Sequence, residues 1–177
     1  MKMGIVSLTV RLGLIITLPF ATAVLAAQHL TVTWTNSLPP GIYGKSSVRE
    51  SGPRVGEIVL ACVPQKYATF GRAHGFLDVG PCDGTEPILK LVEARPGDRV
   101  VLTAAGVFVR GKRLEGSTPV NRSATGITLP HVPFQTYFLG PGQYWLGTPK
   151  TNGFDSRYFG PVDHILALAR PLIVFDI

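Results

Sequence analysis

The sequence has few of the residues from which metal centres are built, and none of the usual spacings. Its 177 residues include two cysteines, Cys62 and Cys82, and four histidines, His29, His74, His131 and His164. The cysteines have no second ligand pair nearby and the histidines follow no ligand spacing, which argues against a zinc site. Glycines are plentiful, yet "GRAHGFLDVG" (Gly71–Gly80) lacks the GxGxxG spacing of a phosphate-binding loop. No metal and no cofactor is therefore expected. Lys and Arg outnumber Asp and Glu by 17 to 11, a formal net charge of +6. These basic residues are spread along the chain rather than gathered in a stripe, which speaks against nucleic acid as a partner. The same diffuse charge suits an anionic membrane surface.

Long apolar runs are also scarce. The one that stands out is "LGLIITLPFATAVLAA" (Leu12–Ala27), which follows Lys2 and Arg11 and contains no charge. It is longer than many signal-peptide cores and shorter than an ideal membrane span. Its small-residue end, "VLAA", is one that a leader peptidase accepts, so residues 1–27 are either a retained membrane anchor or a cleaved signal segment. Positive charge ahead of the run places the N-terminus in the cytoplasm and everything after Gln28 outside it. In that compartment Cys62 and Cys82 are expected to oxidise to a disulfide, the alternative being a pair of buried free thiols.

Residues 28–177 suit one domain with a buried core. Short runs rich in Val, Ile, Leu, Phe and Tyr alternate with Gly and Pro, among them "EIVLACV", "LKLVEA", "DRVVLT", "GVFVRGKRL", "TYFLG", "QYWLG" and "LIVFDI". This pattern predicts a mainly β fold. "GVFVRGKRL" reads as a hairpin bending at Arg110-Gly111-Lys112. Helical periodicity is confined to the apolar N-terminal run and "DHILALAR" (Asp163–Arg170), so the tail is expected to be a helical turn followed by a core strand.

Two residues raise a chemical question. Ser37 sits in "WTNSLPPGIY" (Trp34–Tyr43), on a stiff Pro-Pro-Gly turn ten residues past Ala27. At roughly 3.3 Å per residue it would stay close to a bilayer surface. A serine in a turn commonly does no more than cap its own backbone. Lys90 lies inside the strand-like "EPILKLVEARPGDRV" (Glu86–Val100). Alternation along a strand allows it to point outward. On the core side, however, burial would favour its neutral form, and a neutral amine can take the proton of a serine hydroxyl.

Three segments taken in order decide between these readings. "NSLPPGIY" (Asn36–Tyr43), "LKLVEARPGDRV" (Leu89–Val100) and "GTPKTNGFDSRYFGPV" (Gly147–Val162) resemble the three main boxes of the type I signal peptidase family, in the family's order and after an apolar segment. The Ser-Leu-Pro-Pro-Gly-Ile-Tyr form and the lack of room for a large inserted domain make the chain most similar to the TraF-type peptidases of conjugative plasmids. The resemblance implies a signal-peptidase-like antiparallel β-sheet catalytic domain over residues 28–177, behind an N-terminal transmembrane or signal-anchor helix over 1–27.

The resemblance also implies roles. Ser37 would be the nucleophile, Lys90 the general base and Asp155 a further catalytic residue. Thr35 would supply an oxyanion donor beside the Ser37 N–H, and Arg157 would pair with Asp155, either in the chemistry or as a structural salt bridge. The third box departs from the family at Gly153, where a serine often helps to hold the lysine, and at Thr148 and Thr151, where acidic residues are common. The implied activity is a serine endopeptidase of the bacterial inner membrane, with its catalytic domain in the periplasm. It would cut a pilin precursor or other exported protein after small residues, as part of the conjugation apparatus, and some TraF-type enzymes also join the pilin's ends. The alternatives are a general leader peptidase, or a non-catalytic exported component of the transfer machinery, which would not need Lys90 buried.

Overall fold

The computed structural model describes residues 28–35 and 37–176. The anchor expected over residues 1–27 lies outside the described residues, among which no helix is long and apolar enough to cross a membrane. In chain order the elements are β1 (Leu30–Thr33), β2 (Gly41–Ser46), β3 (Ile58–Ala61), α1 (Gln65–Ala73), β4 (Ile88–Ala94), β5 (Arg99–Thr103), β6 (Gly106–Val109), β7 (Lys112–Arg113), β8 (Thr136–Phe138), β9 (Trp145–Gly147), α2 (Ser156–Phe159) and β10 (Ile165–Val174). The fold is mainly β, as the alternating apolar runs predict.

The strands pair antiparallel in two sheets, β1-β2-β10-β3-β4-β9 and β7-β6-β5-β8. In β4 the side chains of Ile88, Lys90, Val92 and Ala94 are buried while Leu89, Leu91 and Glu93 are partly exposed, the period of two that a half-buried strand requires. A bulge between Val92 and Ala94, opposite β9, redirects the two strands. Val92 and Leu146 pack with Val59, Ile88 and Leu168 in one core. Ala94 and Trp145 pack with Val100, Leu102 and Val107 in the other. The β4–β9 pair thus joins the two cores. After β4 the Pro96-Gly97-Asp98 turn leads into the second sheet, with Gly97 at φ 86°.

The hairpin forms where expected. β6 and β7 pair around Arg110 and Gly111, which both take positive φ, 52° and 80°. That is the two-residue turn whose twist matches a β-hairpin.

Cys62 and Cys82 form a disulfide, with their Cα atoms 5.3 Å apart, which removes the free-thiol alternative. The bridge ties the end of β3 to the segment before β4 and closes a loop that contains α1.

Two expectations need correction. "DHILALAR" is not helical: Ile165–Val174 is one strand, β10, paired with β3 through its first half and with β2 through its second. The helical-looking spacing arises because bulges at Ile165/Ala167 and Pro171/Ile173 break strict alternation. Pro171 is tolerated because only one side of β10 is paired there. The helix α1 was not expected. Its markers are Pro64 at the N-cap and Gly75, at φ 70°, one residue past the C-cap.

Candidate active site

Ser37 sits in the turn that joins β1 to β2. Proline fixes the backbone on the far side of that turn, and the end of β10 clamps it. The Phe175 N–H donates to the Pro40 carbonyl at 2.8 Å, and the Tyr43 hydroxyl donates to the Pro39 carbonyl at 2.7 Å. Trp34 stacks on Phe175 with ring centroids 4.7 Å apart. Gly41 is required by close approach, because a Cβ there would lie 2.1 Å from the Ile173 carbonyl oxygen.

Lys90 reaches the same point from the middle of β4, where it pairs with Val59 of β3. The strand's register turns it to the buried face, and the residue is only 4% exposed. Its Nζ lies 2.7 Å from Ser37 Oγ. Burial pushes the amine down to about 8, helped by the nearby Arg157 guanidinium and opposed by Asp155. In the charged form the amine donates to the hydroxyl. Once neutral, it can accept the hydroxyl proton across the same distance.

Asp155 and Arg157 come together as the third segment predicts. They pair at 2.7 Å, each side chain 2% exposed. Asp155 caps α2 by accepting the Arg157 backbone N–H. The guanidinium also donates to the carbonyls of Gly116, Thr118, Lys150, Thr151 and Gly153. Burial alone would disfavour its charge, but the hydrogen bond and charge of Asp155 outweigh that and keep Arg157 a cation. Asp155 has no direct hydrogen bond to Lys90 among the described residues, so its influence there runs through the field.

Thr35 lines the same groove as Ser37 and Lys90, and its hydroxyl lies 3.1 Å from that of Thr33. This groove has a volume of about 490 Å³. Its walls come from β1, from the start of β4 and from Phe76, Leu77 and Asp78 in the disulfide-closed loop, together with Asn152 and with Phe154, whose ring packs on Phe76 at 5.6 Å between centroids. The loop's contribution was not foreseen, since nothing in its sequence marks it as part of the site. Glu93 was also missed. Its carboxylate packs over Gly147, where a Cβ would come within 2.1 Å of it. Burial, with the charge of Asp155 adding to it and Arg157 opposing, pushes Glu93 up to about 8. Among the described residues no group of three or more His, Cys, Asp and Glu side chains is placed to hold a metal ion.

A buried lysine against a serine in an open groove, on an antiparallel β frame, is an arrangement suited to peptide cleavage. The chain belongs to the signal peptidase family, peptidase S26, whose sequence model matches residues 4–174. It is 34% identical over 150 residues to the plasmid transfer protein TraF of Escherichia coli, a match covering 81% of this chain and 82% of that one. It is 33% identical over 150 residues to the conjugal transfer protein TraF of Agrobacterium fabrum, covering 82% of each. The crystal structure of a signal peptidase I from Enterococcus faecalis matches 69% of this chain and 98% of its own, with 18% identity and a TM-score of 0.39.

Proposed function

We propose that this chain is a serine endopeptidase that matures a pilin precursor during conjugative transfer, with residues 1–27 as its tether to the bacterial inner membrane and residues 28–177 as a periplasmic catalytic domain. The observation that carries the reading is the 2.7 Å separation of Lys90 Nζ and Ser37 Oγ, with the lysine shielded from water and its amine held near 8. A non-catalytic component has no use for a buried amine set against a hydroxyl, since burying an ionisable group is costly.

In this mechanism neutral Lys90 takes the Ser37 proton as Oγ attacks the scissile carbonyl. The Oγ–C bond forms, and the developing oxyanion is met by the Ser37 N–H and the Thr35 hydroxyl. The peptide C–N bond then breaks, and the proton held by Lys90 passes to the departing amine. Asp155 and Arg157 hold the third segment beside the pair and set the local field. The acyl-enzyme is released by water, or by the pilin's own N-terminal amine, which the TraF-type resemblance suggests. An amine held beside the ester has a high effective concentration and competes with water.

The test is co-expression with candidate pilins followed by intact-mass measurement. Wild type is expected to give a shortened pilin, and a cyclic product would be about 18 Da lighter than the hydrolysed one. Ser37→Ala and Lys90→Ala are each expected to leave the precursor uncut. Processing by either variant would overturn the assignment.

A further inference from the structure

Thr148 follows β9 directly and is 2% exposed. Its hydroxyl donates to the backbone carbonyl of Ser37, from a position 111 residues away in sequence. The same oxygen accepts the Lys150 backbone N–H at 3.3 Å. One side chain therefore connects the peptide unit that carries the serine to the segment that Arg157 secures from the other side through the carbonyls of Lys150, Thr151 and Gly153. Gly153 completes the arrangement. A Cβ built there would lie 2.1 Å from Thr148 Cγ2 and 3.4 Å from Asp155 Oδ2. The space above Gly153 is thus filled by the threonine methyl.

Threonine is stiff at χ1, and its methyl and hydroxyl turn together about one bond. Any side chain at position 153 would force that bond to rotate, and the rotation would carry the hydroxyl away from the Ser37 carbonyl. We propose that Thr148 is a positioning residue that fixes the Ser37 peptide unit, and therefore the aim of Oγ at Lys90, and that Gly153 is glycine so that the Thr148 methyl can hold this rotamer. The inference rests on the proposed Ser37–Lys90 chemistry for its kinetic consequence, though not for its geometry.

The kinetic test uses an internally quenched peptide with alanine before the cut, compared across Thr148→Val, Thr148→Ser, Gly153→Ala and the double variant Thr148→Ser/Gly153→Ala. Valine keeps the shape and loses the hydroxyl, so kcat is expected to fall about 100-fold with KM little changed, the scale of loss that misplacing a reacting group by an ångström brings. Thr148→Ser keeps the hydroxyl and is expected within about threefold of wild type, because a misaimed nucleophile and not a lost methyl is what slows the reaction. Gly153→Ala alone should be as slow as Thr148→Val. The double variant removes the methyl that the new Cβ would strike, and it should recover to the level of Thr148→Ser. A purely structural role would lower the melting temperature in step with activity in every variant, and in the double variant the two would recover together. Full kcat in Thr148→Val, or a double variant no faster than Gly153→Ala, would overturn the proposal.

A second measurement needs no turnover. In a crystal structure of Thr148→Val the Ser37 Oγ to Lys90 Nζ distance is expected to open beyond hydrogen-bond reach, about 3.5 Å. If it stays at the wild-type 2.7 Å, Thr148 does not position the serine. If wild type and Ser37→Ala cleave the peptide equally, or neither does, the proposed reaction fails for this probe, and the crystal distance alone decides the role of Thr148.

Discussion

Arg157 and Asp155 form an ion pair at 2.7 Å in which both side chains are almost wholly buried, and the guanidinium donates to five backbone carbonyls besides. The chain from β9 to α2 wraps around this one cation. Its anchoring role and its electrostatic role are therefore carried by the same atoms, since Asp155 raises and Arg157 lowers the affinity of Lys90 for its proton.

Asp155→Asn is expected to cost about 3–5 kcal/mol in urea unfolding, because it leaves a buried guanidinium without its counter-charge. In the folded fraction the pH midpoint of the reaction should move below about 8, since the group that holds the Lys90 amine up has been removed. An unchanged or higher midpoint would detach Asp155 from Lys90.

Glu93 gives a prediction for stability. Its carboxyl is raised from 4.5 to about 8, so the folded protein keeps a proton that the unfolded chain releases. That contribution is fully present below pH 4.5 and is lost as pH rises through about 8. Glu93→Gln should flatten the fall in melting temperature between these limits and exceed wild type above them. The Lys90 amine, lowered from 10.5 to about 8, acts in the other direction and at higher pH, where stability should recover as it loses its proton. A wild-type decline that persists in Glu93→Gln would assign it to another group.

The disulfide closes a loop with a sequence separation of 20, and that loop supplies Phe76, Leu77 and Asp78 to the groove. Reduction, or replacement of both cysteines by alanine, is expected to lower stability by about 3 kcal/mol. It should also raise KM more than it lowers kcat, because it loosens a wall and leaves the contact between Ser37 and Lys90 untouched. Unfolding curves and steady-state kinetics with and without dithiothreitol measure both effects, and a loss confined to kcat would contradict the placement of the loop.

Much of this was legible in sequence because local rules and the fold agree. The period of two in Ile88–Ala94 makes a strand, but it leaves either face open to Lys90, and the structure is what puts that side chain on the buried face with Val92. The Arg110-Gly111 bend needs only turn chemistry. What failed had a non-local cause. Asp163–Arg170 looks helical until two neighbouring strands impose bulges on β10. The contact of Thr148 with Ser37 spans 111 residues, and no spacing within either segment points to the other. The third segment marked Thr148 and Gly153 as unusual, but that a Gly153 Cβ would meet the Thr148 methyl is visible only in the fold.

If Lys90 is the base for Ser37, single-turnover cleavage must follow the protonation of its amine. For wild type the rate is expected to rise tenfold per pH unit and level off near pH 8, where the buried amine becomes neutral. Lys90→Arg should show no such rise and no cleavage, because guanidinium stays protonated throughout that range. A wild-type rate independent of pH between 6 and 9, or normal cleavage by Lys90→Arg, would contradict the account.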